Sequence, residues 1–183
     1  MTGSTRRPTH LVITGLMGSG KTTIGAAVAA GLGRPHRDSD ADLLARTGRS
    51  ARDIAASDGV EALHAIELEL MLEALDAAEP CVVSAAASVI DVPAGRAALA
   101  ASTVDVAWLR IDVPTAAARS GDGAHRPWHE DLADQAARRD PWFAAVADIT
   151  LDATGDPAAI AERLTAWVGR PPSGDPVDAG TTG

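Results

Sequence analysis

Gly15-Leu16-Met17-Gly18-Ser19-Gly20-Lys21-Thr22 is a complete G-x-x-x-x-G-K-[ST] phosphate loop, and its flanks decide the fold. Before it runs the apolar stretch His10-Leu11-Val12-Ile13-Thr14, which reads as a buried strand. After it comes Thr23-Ile24-Gly25-Ala26-Ala27-Val28-Ala29-Ala30, which reads as a helix. A glycine-rich turn with a stray lysine would not come with both flanks; strand, loop and helix together make a nucleotide site. Gly15, Gly18 and Gly20 let successive backbone N–H groups, with Ser19 and Thr23 among the contacts, turn inward around a polyphosphate. The helix adds the positive end of its dipole. Lys21 is expected to reach the β- and γ-phosphates of ATP, and the Thr22 hydroxyl to hold Mg²⁺.

Outward from the loop, apolar runs alternate with helical stretches. Cys81 to Ala85, Val104 to Ile111 and Ala147 to Leu151 are strand candidates, and Pro35 to Asp40 is a short segment with Asp38 and Asp40 at a strand end. Helical pattern runs from about Asp42 to about Ala78 with breaks near Gly48 and Gly59, and again over 94–101, 114–120, 129–139 and 156–168. Strands separated by helices imply an α/β fold, a parallel sheet covered on both faces. Such sheets bind ligands beyond the carboxyl ends of their strands, so the loop, Asp38 and Ala86 are expected to share one crevice. The chain of 183 residues divides into a flexible start over 1–9, one domain over 10–168 and a disordered tail over 169–183 that is rich in proline and glycine.

Composition narrows the function classes. A net charge of −9 argues against a nucleic-acid surface. No apolar run approaches the ~20 residues of a membrane span, and no signal-type stretch follows Arg6 and Arg7, so no membrane association and a cytoplasmic location are expected. The single cysteine, Cys81, can make neither an internal disulfide nor a cysteine-based zinc site and reads as strand filler. His10, His36, His125 and His129 show no metal-ligand spacing.

A phosphate cradle needs a metal, an orienting base and further cations to become a kinase. Asp38 and Asp40 stand two apart, and in extended backbone both face the same way. One carboxylate can order Mg²⁺ through water and the other can take the proton of an acceptor hydroxyl; a helix N-cap at Asp40 is the competing reading. Arg126 follows the polar loop Ser120-Gly121-Asp122-Gly123, a natural lid hinge, and Trp128 lies two residues on. Arg138 and Arg139 are adjacent, and spacing does not say which of them faces the site.

Gly15 to Thr23, Asp38-Ser39-Asp40, Arg46-Thr47-Gly48-Arg49-Ser50, Asp58-Gly59, Arg126-Pro127 and Arg139-Asp140-Pro141 occur in the order and spacing of shikimate kinases, and from about residue 10 to 168 the chain resembles that family. The resemblance implies a three-layer P-loop kinase fold with a five-stranded parallel sheet in order 2-3-1-4-5, and transfer of the γ-phosphate of ATP to the 3-hydroxyl of shikimate. It implies Thr22 as direct Mg²⁺ ligand with Asp38 nearby through water, Asp40 as acceptor-binding base, and Arg126 as the lid arginine. It implies Arg119 and Pro157 at the adenine, and Arg139 on the acceptor carboxylate. The partners expected are ATP and a small hydroxylated substrate bound by a monomer.

Two positions depart from the resemblance, both on the acceptor side. Where shikimate kinases carry a carboxylate-binding arginine in the long helix, this chain has His64, and Glu67 matches an acidic position that can pair with that arginine. Where they carry three consecutive glycines, the matching residues are Ala86-Ala87-Ser88, with Ala87 facing the substrate. A β-carbon there costs ~1 kcal/mol or more if the backbone has positive φ. Two alternatives to shikimate therefore stand: a kinase of a different hydroxylated acceptor, such as a polyol or sugar acid, and a nucleotide-binding regulatory module without turnover.

Overall fold

The computed structural model describes residues 9–120 and 131–169. The expectations for residues 1–8, for 170–183 and for Arg126 and Trp128 lie outside the described residues.

Five parallel strands form one sheet: β1 (His10–Thr14), β2 (His36–Asp38), β3 (Val82–Ser84), β4 (Val104–Arg110) and β5 (Ile149–Asp152), in order β2-β3-β1-β4-β5. This is the order the family resemblance implies. β1 lies at the centre, with Val12 paired to Val83 on one side and to Val106 on the other. Every residue of β1 is buried, which is why its sequence is a continuous apolar run and not an alternation. Its one imidazole, His10, accepts from the Cys81 N–H at 3.3 Å, and burial holds its pKa below the usual histidine value. Burial also pushes the Cys81 thiol up, which suits a packing residue and not a nucleophile.

The helices are α1 (Lys21–Leu32), α2 (Ser39–Thr47), α3 (Ala51–Asp58), α4 (Val60–Leu75), α5 (Pro93–Leu99), α6 (Val113–Ser120), α7 (Leu132–Val146) and α8 (Pro157–Val168). A 3-10 helix, Ala87–Asp91, follows β3. The main core joins the sheet to the helices on both faces, with Leu11, Ile13, Val28, Val106, Leu109 and Leu164 fully buried. A second cluster, Leu43, Ile54, Leu63 and Leu70 among its members, ties α2, α3 and α4 together. These three helices carry the breaks expected at Gly48 and Gly59. The α3 start is fixed by a reciprocal pair of caps between Ser50 and Asp53.

Two local expectations are corrected. The helix expected over 129–139 runs on to Val146 through Pro141. Proline in a helix interior costs ~3 kcal/mol. The extension buries Phe143 completely, 6.0 Å from the Trp108 ring, and seats Trp142 under the Arg96 guanidinium at 4.5 Å. Those contacts offset the proline. The second correction concerns Asp40. β2 ends at Asp38 and α2 begins at Ser39, so Asp40 stands on a helical first turn and not on extended backbone. Asp38, not Asp40, is the N-cap.

Candidate active site

The carboxyl ends of β1, β2 and β3 open into a cleft of about 580 Å³. Its floor is the loop between β1 and α1. Gly15 has φ +144° and Gly18 has φ +81°, and a β-carbon would come within 2.5 Å of the Leu109 carbonyl oxygen at the first and 2.4 Å of the Ala116 carbonyl oxygen at the second. Both positions therefore require glycine. Gly20, the N-cap of α1, offers no side-chain acceptor, so the leading N–H groups of the helix are left for a ligand in the loop. The Lys21 ammonium lies across the loop, donating to the carbonyls of Gly15 at 2.8 Å and Leu16 at 2.9 Å. Among the described residues the buried hydroxyls of Thr14 and Ser19 have no hydrogen-bond partner. A fully buried hydroxyl on a loop of inward N–H groups suits a loop made to complete its bonds with an anion.

Thr22 and Asp38 meet directly. The Thr22 hydroxyl donates to Asp38 Oδ2 at 2.7 Å, while Asp38 Oδ1 accepts from the N–H groups of Asp40 at 3.1 Å and Ala41 at 3.3 Å. One carboxylate thus caps α2 and fixes the loop to the end of β2. Among the described residues no group of three or more His, Cys, Asp or Glu side chains gathers into a metal cage. A hydroxyl beside a carboxylate still fits Mg²⁺, which keeps several waters and takes the rest of its shell from substrate phosphates. Thr22 and Asp38 are the residues that would hold it.

Ser84 ends β3 and was not foreseen. Its hydroxyl donates to the Lys21 carbonyl at 3.0 Å and accepts a hydrogen bond from His36 Nε2 at 2.9 Å, joining β2, β3 and the start of α1 under the cleft. A polar residue at the carboxyl end of a buried parallel strand was the signal available for it. At the far end Arg119 donates to the carbonyls of Ala153 at 2.6 Å and Thr154 at 3.0 Å, which holds its side chain beside Pro157 at the start of α8. Gly18, Gly20, Lys21, Thr22, Thr23, Asp38, Asp40, Ala87, Arg119 and Pro157 all line the cleft, so the fold brings most of the expected site together.

His64 and Arg139 do not line it. His64 is half-buried on α4. Arg139 is buried on α7, and its guanidinium is taken up by a carboxylate that sequence reading passed over. Arg139 Nε donates to Asp91 at 3.0 and 3.1 Å, Nη2 donates to Asp91 at 2.6 Å, and Nη1 donates to Gln135 at 2.5 Å. Arg138 adds a bond to the same carboxylate at 3.3 Å. Burial alone would raise the Asp91 carboxyl, but the bonds and charge of Arg139, with Arg138, outweigh it and hold the group below the usual carboxylate range. Glu67, buried on α4, accepts from the Ser88 hydroxyl. The alanines carry no backbone strain: Ala86 has φ −60°, and among the described residues only glycines have positive φ. Their effect is steric, as methyl groups on the cleft wall.

The shikimate kinase family model matches residues 17–168. The chain belongs to the shikimate kinase family. It is 32% identical to the shikimate kinase of Moorella thermoacetica over 88% of this chain and 97% of that one. It is 35% identical to the shikimate kinase of Mycobacterium tuberculosis over 84% of this chain and 89% of that one. Among solved structures, a shikimate kinase from Acinetobacter baumannii in complex with shikimate superposes with a TM-score of 0.82 at 24% identity, covering 89% of this chain and 94% of that one, a likeness of fold. Family membership makes the protein an ATP-dependent phosphotransferase. Among the described residues no helix is long and apolar enough to cross a membrane.

Proposed function

We propose that the protein transfers the γ-phosphoryl group of ATP to a ring hydroxyl of shikimate, working as a monomer. The observation that carries this reading is the direct Thr22–Asp38 bond, which sets the phosphate loop against the end of β2 with Asp40 on the following turn. ATP lies with its phosphates over the loop and its base between Arg119 and Pro157. Thr22 with Asp38 would hold Mg²⁺, which when bound would supply positive charge against the phosphates of ATP. Lys21 leaves its own loop carbonyls for the phosphate oxygens. Asp40 accepts the hydrogen bond of the acceptor hydroxyl and takes its proton. The acceptor oxygen bonds to the γ-phosphorus as the bond from that phosphorus to the β–γ bridging oxygen breaks, and ADP leaves with the electron pair.

Asp40→Asn keeps the shape of the side chain and removes the base. ADP release with shikimate and MgATP is expected to fall by roughly 10²–10⁴, with nucleotide affinity kept. Full turnover in the folded variant would remove Asp40 from the chemistry. A second reading, a kinase of another hydroxylated acceptor, is favoured by one feature: Arg139 is paired to Asp91, and the wall nearest it carries the methyl groups of Ala86 and Ala87.

A further inference from the structure

We propose that Asp91 sets the acceptor choice of this enzyme by filling, on Arg139, the place a substrate carboxylate would take. The inference rests on the reading of Arg139 as the acceptor-side cation. All three guanidinium nitrogens are engaged, two on Asp91 and one on Gln135. The Nε and Nη2 bonds to one carboxylate form the bidentate geometry with which arginine recognises carboxylate ligands. The Arg139 side chain is only 6% exposed and that of Asp91 20%, so the pair is largely shielded from water. Arg138 binds the same carboxylate from the exposed side, so Asp91 occupies two cations at once.

The pair lies close to the cleft. Asp91 ends the 3-10 helix whose first residue, Ala87, lines the cleft wall, and four residues of such a helix span roughly 8 Å. Along that helix the wall offers methyl groups, and Ser88 is turned onto Glu67. Among the described residues, the charged side chains lining the acceptor end, Asp38 and Asp40, are acids. Of the lining cations, Lys21 serves the phosphates and Arg119 is held at the β5–α8 end. Among the described residues, a carboxylate acceptor must exchange with Asp91 to gain Arg139 as a bidentate partner. A neutral ring polyol of the same shape needs no exchange. Asp91 is charged throughout the neutral range, so the competition operates at full strength under working conditions.

The test compares shikimate with its methyl ester, which keeps the ring and hydroxyls and removes the charge. ADP release is measured with the full chain and saturating MgATP. The unaltered protein is expected to use the ester at least as well as the acid in kcat/KM. In Asp91→Asn the ratio of acid to ester should rise about tenfold or more, the effect of one charged hydrogen bond, through the KM for the acid and with the KM for MgATP unchanged. Asp91→Ser provides a second, smaller replacement, and circular dichroism establishes that each variant is folded. A purely structural Asp91 would lower both acceptors together and leave the ratio fixed, which overturns the inference. So does a tenfold or greater preference of the unaltered protein for the acid. If MgATP binds and neither acceptor is turned over by any form, the acceptor reading itself fails and the inference falls with it.

Discussion

The nucleotide end of the cleft is made of neighbours in sequence, whereas the acceptor end is assembled across the chain. From Gly15 to Thr23 the groups that would meet phosphate are consecutive, and most are backbone N–H groups whose direction follows from glycine φ values. At the other end the bonds join residues 48 positions apart in Arg139–Asp91 and 21 apart in Ser88–Glu67. The first kind of site is specified by a motif. The second depends on which side chain finds which partner, and one added carboxylate changes what the site offers a ligand.

A large effect is expected on breaking the nucleotide end. Lys21→Ala removes the cation that must leave the Gly15 and Leu16 carbonyls for phosphate. Turnover is expected to fall by roughly 10²–10³, the size of losing one preorganised donor to a charged transition state. Steady-state ADP release with calorimetric titration of MgATP measures it. Near-normal turnover would detach the loop from the reaction.

This contrast explains what could be read in advance. The strand–loop–helix unit, the Gly48 and Gly59 breaks and the burial of Cys81 all follow from local pattern, because glycine φ and apolar periodicity act over a few residues. The resemblance named Thr22 and Asp38 side by side, and a hydrogen bond joins them, yet the alternation argument behind Asp38 and Asp40 misplaced Asp40, because Asp38 caps a helix at once. The helix expected over 129–139 runs further for a related reason: burial of Phe143 outweighs the local cost of Pro141. Nothing in Ser88-Val89-Ile90-Asp91 marks Asp91 as the partner of Arg139, since that bond exists only after α7 has packed on the 3-10 helix.

A smaller effect sharpens the acceptor end. His64→Arg adds a permanent cation to α4, on the helix that also carries Glu67. If shikimate is the acceptor, the KM for shikimate should fall about threefold to tenfold with little change in kcat, within the range of one charged hydrogen bond. If the acceptor is uncharged, the added charge has no substrate partner, and the specificity constant for the true acceptor should drop. The sign of the change in an acceptor screen separates the two.

The smallest effect concerns Asp140, the neighbour of Arg139, which faces a separate cavity of about 460 Å³ with Arg110, Asp112 and Asp152. Burial raises its carboxyl above the usual range, and Arg110 only partly offsets this. A carboxyl raised in the folded state adds stability below its unfolded value of about 3.9, and that contribution is lost as pH climbs through the folded value. At about pH 7 the ionised group is therefore a net cost. Asp140→Asn should raise the melting temperature by about 2–4 °C at about pH 7 and should change nothing at a pH of about 3.5. Thermal unfolding followed by circular dichroism at the two pH values checks it. Equal stabilisation at both would mean that packing, not charge, is what the substitution altered. A loss at neutral pH would mean that the Asp140 carboxylate has a favourable role toward Arg110 that outweighs its burial. Because Asp140 and Asp91 stand on opposite sides of the ordinary carboxylate value, their variants should respond to acid in opposite senses. Asp91→Asn should cost stability at neutral pH and lose that cost as the pH falls through the depressed value, so the pair of variants separates a carboxylate that the fold has partnered from one it has merely buried.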